Sequence, residues 1–100
     1  MAHIPSELCI PPKALDDPES LEMLRAWITG GGLHCTLNIG TWKDAGNWGI
    51  VLADVARHVA NATEEAEGTP QSETLDRIRL LFNTELDNPT DKPSGEFVGD

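Results

Sequence analysis

Two side chains capable of acid–base chemistry, Asp54 and His58, lie four residues apart in this sequence of 100 residues. On a helix that spacing places both side chains on one face. A carboxylate that orients an imidazole is the beginning of a general-base pair, although the same spacing also gives an ordinary surface ion pair. No nucleophile motif, phosphate-binding glycine loop or oxyanion motif accompanies the pair. The sequence therefore favours a non-catalytic role.

Arg57 and Asn61 accompany this pair, and the four residues together form a polar stripe on the predicted helix. Arginine is enriched at protein interfaces, and a rigid helix would present these donors and acceptors in a fixed arrangement. We predict Asp54, Arg57, His58 and Asn61 as binding residues. The alternative is that they are surface residues, or that they bond locally to neighbouring loops.

The sequence predicts neither a metal site nor a cofactor. His34 and Cys35 are adjacent on a predicted strand and point to opposite faces, so they cannot bind one ion. Cys9 and Cys35 lack the Cys-x-x-Cys spacing of zinc or redox sites, and we expect reduced thiols. A disulfide between them would require the N-terminal segment to lie beside that strand.

The helix that carries the polar stripe is predicted from Asp44, as its N-cap, to about Glu65. It has an apolar face and an adjoining face of small residues, which favours close helix packing. We also expect the three tryptophans to form one cluster. The apolar face comprises Trp48, Val51, Leu52, Val55, Val59 and Ala62, and the small face comprises Gly49, Ala53, Ala56 and Ala60.

Four further elements follow from local patterns. Residues 4–13 predict an extended arm or weak edge strand ended by Pro11-Pro12. Asp17 and Pro18 predict the start of a first helix, whose apolar residues Leu21, Leu24 and Ile28 precede a glycine triplet at 30–32. Strict alternation from Leu33 to Ile39 predicts a strand. Thr69-Pro70 begins a last helix, which Asn88-Pro89 ends.

These elements predict a small single α+β domain in the order β(weak)-α-β-α-α. Its three helices would pack against a short two-stranded or intermolecularly extended sheet, because one strand cannot form a sheet alone. We expect an extended arm over residues 1–13, a compact domain over 14–87 and a flexible acidic tail over 88–100. The strand at 33–39 would pair either with the arm or with its copy in a second chain. The latter pairing would make a homodimer, which we predict.

Composition excludes several partners. Seventeen acidic against seven basic residues give a net charge of −10, which disfavours binding to nucleic acids and anionic membranes. The N-terminus does not resemble a signal peptide, and no apolar run is long enough to span a bilayer. We expect a soluble cytoplasmic protein.

Several segments resemble a family of bacterial proteins of about this length whose function is unknown. The resemblance implies a small bacterial cytoplasmic protein and no particular activity. It lies in Leu24-Arg25-Ala26-Trp27, the Trp42 and Trp48-Gly49 pair, the run from Leu52 to Ala62, Asn88-Pro89-Thr90-Asp91 and the Ile10-Pro11-Pro12 start.

Taken together, the sequence predicts a small acidic protein-interaction or accessory module. The alternative is a small-molecule-binding protein or enzyme that uses Asp54 and His58.

Overall fold

The computed structural model describes residues 3–90 and 94–98 and confirms a small α+β domain with three helices and an antiparallel strand pair. Residues 3–11 have no regular secondary structure. Pro12, predicted to end an extended arm, instead occupies the first turn of a short helix, where proline's missing N–H costs nothing. The elements are α1 (Pro12–Asp16), β1 (Leu24–Thr29), β2 (Gly32–Asn38), α2 (Asn47–Glu67), α3 (Gln71–Asp87) and β3 (Ser94–Val98).

The first helix predicted after Pro18 is wrong, because residues 24–29 form strand β1. Asp17 forms a turn instead of a helix N-cap: its carboxylate accepts a hydrogen bond from the Glu19 N–H at 2.9 Å. The chain reverses at Gly30 and Gly31, whose φ values of 59° and 80° suit a two-residue hairpin turn. β1 and β2 therefore form an antiparallel hairpin.

Strand β2, predicted from alternation, lies in the middle of a three-stranded sheet of order β1-β2-β3. Neither predicted pairing of this strand occurs, since β1 occupies one edge and β3 pairs in parallel with the other. Residues 94–98 belong to the predicted flexible tail and instead form β3. A strand pairs through its backbone N–H and C=O groups. A segment such as 94–98, whose sequence contains few apolar residues, can therefore still pair with a free strand edge.

One face of the β1–β2 hairpin is entirely apolar. Residues paired across antiparallel strands project to the same face of the sheet. Along this hairpin, pairs of two apolar residues alternate with pairs that contain a polar residue. The apolar face comprises the pairs Leu24 with Leu37, Ala26 with Cys35, and Ile28 with Leu33; the opposite face comprises Arg25 with Thr36 and Trp27 with His34.

Helices α2 and α3 pack against each other as a helical hairpin. Gly68 permits the reversal: it takes φ 78°, and its N–H donates to the Glu64 carbonyl at 2.8 Å. Ala60 is fully buried, with Ala56 and Thr63 half-buried one turn to either side. The small face is thus confirmed at Ala56 and Ala60, whereas Gly49 and Ala53 are exposed.

The helical hairpin and the sheet do not cover each other within one chain. Across the described elements, no Cα atom of α2 or α3 lies within 8 Å of a strand Cα atom. The chain exposes 8695 Å², whereas a folded monomer of this mass is expected to expose roughly 5,600 Å². Its radius of gyration is 15.6 Å, against about 13 Å for a folded domain of this length. Large apolar surfaces therefore remain open.

Ala60→Leu should destabilise the protein by about 1–3 kcal/mol, because the added atoms would overfill the contact between α2 and α3. Ala53→Leu is the matched control, since Ala53 is exposed on the same helix. Chemical denaturation of both variants measures the difference between their free energies of unfolding. Equal stability of the two would show that Ala60 does not lie in the helix contact.

Gly31→Ala should cost about 1–2 kcal/mol, because an alanine at positive φ is strained even though its Cβ would meet no atom within 4 Å. Gly49→Ala should instead stabilise α2 by about 0.5–1 kcal/mol, since its Cβ also has open space and its backbone is helical. Thermal unfolding should shift in opposite directions for the two variants. A shift of the same sign would contradict the hairpin turn.

Candidate functional site

Helix α2 positions the predicted polar stripe. It spans 21 residues, Asn47–Glu67, and begins three residues after Asp44. The Asp44 carboxylate accepts a hydrogen bond from the Gly46 N–H at 2.8 Å, and its carbonyl accepts one from the Asn47 N–H at 3.1 Å. Asp44 therefore forms the turn before the helix, and Gly46, not Asp44, stands at the N-cap position.

The four predicted binding residues are all exposed on α2. A helix advances about 100° per residue, so His58 projects from nearly the opposite side of the helix to Ala60. Ala60 is buried on the side of α2 that packs against α3, so His58 faces away from α3, whereas Asn61 lies close enough to α3 to contact Gln71. The stripe is a convex surface of one rigid element.

The structure does not join Asp54 and His58 into a pair. In the described part of the chain, neither makes a hydrogen bond or ion pair, although both lie on one side of α2. Both also lie outside a cavity of about 600 Å³ and a second of about 240 Å³. A general base requires a substrate within hydrogen-bond reach, and neither of these two cavities would bring one to Asp54 or His58.

Asn61 has a local structural contact. The Gln71 side-chain amide, at the start of α3, donates to Asn61 Oδ1 at 3.4 Å and to Glu64 Oε1 at 3.1 Å. Asn61 thus makes the kind of local hydrogen bond that is the alternative to a binding role. Asp54, Arg57 and His58 have no such contact among the described residues.

Sequence reasoning missed a second polar cluster, which centres on Arg25 of β1. Its guanidinium donates to both carboxylate oxygens of Glu22, at 2.6 and 3.1 Å, and to Glu7 at 2.9 Å. The hydrogen bond from Arg25 lowers the pKa of Glu22, and the same contact raises the pKa of Arg25. Glu7 belongs to the N-terminal arm, so Arg25 links that arm to β1.

The Arg25 cluster borders the 600 Å³ cavity, which lies between the arm, α1 and β1. Arg25 already binds two carboxylates and is therefore not free to bind an anionic ligand. Its guanidinium also lies 6.0 Å from the ring centre of Trp27. The cavity walls are largely apolar and include Leu8, Ile10, Leu15 and Leu21.

The three tryptophans do not form the single predicted cluster. Trp42 and Trp48 make an edge-to-face contact with ring centres 5.9 Å apart, at the entry to α2. Trp27 lies on the polar face of the sheet, opposite His34. The difference follows from the strand at 24–29, which places Trp27 away from α2 and α3.

Other chemistry-bearing residues remain apart. Cys9 is exposed, Cys35 is half-buried on the apolar sheet face, and both are free thiols. Within residues 3–90 and 94–98, no three histidine, cysteine or acidic side chains form a group that could hold a metal ion. Over the same residues, no helix has both the length and the apolar character needed to cross a membrane.

The Arg25 cluster had a signal in the sequence, namely the spacing of Glu22 and Arg25. That spacing by itself indicates only a local ion pair, of the kind that a helix also forms. The contact with Glu7 had no local signal, since it joins residues 18 positions apart.

Comparison with known proteins supports the fold and the family. No curated protein matches the chain. A solved structure from the photosynthetic bacterium Rhodopseudomonas palustrus, named "putative pyruvate dehydrogenase", is 33% identical. The match has a TM-score of 0.67 and covers 88% of this chain and 90% of the other. The model of a domain of unknown function, DUF5076, matches residues 7–90. This chain therefore belongs to the DUF5076 family.

Proposed function

We propose that this protein is a small bacterial interaction module that binds another protein through the polar stripe of α2. The observation that carries the proposal is the exposure of Asp54, Arg57 and His58 together on a rigid helix, with no partner among the described residues. An arginine, an imidazole and a carboxylate offer both donors and acceptors to a partner surface. Asn61 would contribute at the edge of this surface.

The proposal includes a homodimer in the bacterial cytoplasm. The open apolar surface favours self-association, because exposed apolar patches of this extent mark interaction sites. The net charge of −10 favours a partner surface that carries positive charge.

The name of the Rhodopseudomonas relative refers to a dehydrogenase, and that name describes the relative. An enzymatic role through Asp54 and His58 would need a cavity beside them. The two cavities described above lie elsewhere in this chain. An interaction surface requires no such cavity, and we therefore propose binding over catalysis.

Replacing Asp54, Arg57 and His58 together by alanine should abolish capture of the partner while leaving the fold intact. Exposed substitutions usually change stability by no more than about 0.5 kcal/mol. The measurement is quantitative affinity capture from lysate of the source organism, with thermal unfolding as the check on folding. The matched control replaces Glu73, Arg77 and Asn83, which are exposed on α3.

A partner retained by the α2 variant would contradict the proposed surface. Loss of the partner in the α3 control as well would also contradict it, because binding would then not be specific to the stripe. Asn61→Ala is tested separately, since its contact with Gln71 gives it a structural role that the other three residues lack.

A further inference from the structure

We infer that two copies of this chain form a reciprocal dimer in which the apolar face of the β1–β2 hairpin in one copy covers the apolar stripe of α2 in the other. This inference rests on the proposed homodimer and specifies its interface. It replaces the edge-to-edge strand pairing predicted from sequence, because both edges of β2 are already occupied.

The sheet contributes a surface without charge. Six apolar side chains from three cross-strand pairs line it, and Ile28, in the pair nearest the hairpin turn, is 76% exposed. Water in contact with such a face is released when another apolar surface covers it. In the single chain, neither α2 nor α3 lies against this face.

Helix α2 contributes the complementary surface. Leu52, Val55 and Val59 lie beside the buried Ala60 on the apolar stripe, and each is 41–45% exposed. The stripe also contains no charged residue. Two chains of net charge −10 can therefore meet at these surfaces without bringing acidic side chains together in the contact.

The amount of open surface fits a second copy. One chain exposes roughly 3,000 Å² more than a folded monomer of its mass should. Obligate homodimers bury about 2,000–5,000 Å² in total, or about 1,000–2,500 Å² from each chain. One dimer would thus remove between about a third and about four-fifths of the excess.

Self-complementarity also favours a second copy over a different protein. Each chain carries both an uncovered sheet face and an uncovered helix stripe. In a twofold dimer the sheet face of each copy would cover the helix stripe of the other. The polar stripe of α2 would remain outside this contact, because Asp54 and His58 project from another side of the helix. Partner binding and dimerisation would therefore use different surfaces.

The first test is light scattering after size-exclusion chromatography on the full chain. Wild type should have twice the chain mass of 10.9 kDa, and Ile28→Asp should reduce it to one chain mass. The matched control is Ile4→Asp, an equally drastic change at a residue that is 91% exposed in the arm. That variant should remain dimeric.

The second test identifies which surfaces meet and does not depend on a destabilised variant. In a background with Cys9→Ser and Cys35→Ala, one tagged chain carries Ile28→Cys and an untagged chain carries Val55→Cys. After the two are refolded together and oxidised, a disulfide-linked tagged–untagged dimer is expected. Thr36→Cys with Asp54→Cys is the control pair from the two polar surfaces and should not cross-link.

Each outcome has a defined meaning. A monomeric wild type would overturn the dimer. A dimer that cross-links at the control pair but not between Ile28→Cys and Val55→Cys would overturn the interface only. Neither result affects the capture experiment on the polar stripe, so failure of this inference is distinguishable from failure of the proposed recognition surface.

Discussion

The pairing of β1 with β2 is the constraint on which the rest of this structure depends. Backbone hydrogen bonds fix the register, and the register gathers six apolar side chains on one face. Neither α2 nor α3 of the same chain covers that face. Hydrophobic burial is the dominant favourable contribution to folding, so an open face of this size leaves the fold incomplete in a single chain.

The helical hairpin also leaves apolar side chains uncovered. Its internal contact is narrow, because only Ala60 is fully buried and small side chains bury little area. The larger residues Leu52, Val55 and Val59 are each 41–45% exposed. A second chain would supply what each half lacks, since the uncovered sheet and the uncovered helix carry complementary apolar surfaces. The exposed polar stripe on α2 would then remain available to a different partner.

Sequence patterns predicted α2, α3 and β2 because each has a long and unambiguous periodicity. They failed for residues 18–28, where Leu24 and Ile28 are four positions apart. That spacing fits one face of a helix and one face of a strand equally well. The intervening Ala26 and the two glycines at the turn were the signals for a hairpin. β3 could not be predicted, because its pairing depends on a free backbone edge formed 60 residues earlier. For the same reason the sequence located the polar stripe but not the contact of Arg25 with Glu7.

The most direct test of this account is thermal unfolding of the wild-type chain over about a hundredfold range of protein concentration. Dimer formation that completes the fold makes Tm depend on concentration, because binding shifts unfolding by mass action. We expect Tm to rise steadily as concentration increases. A constant Tm across that range, together with a cooperative transition of a monomeric species, would contradict the claim that a second copy completes the core.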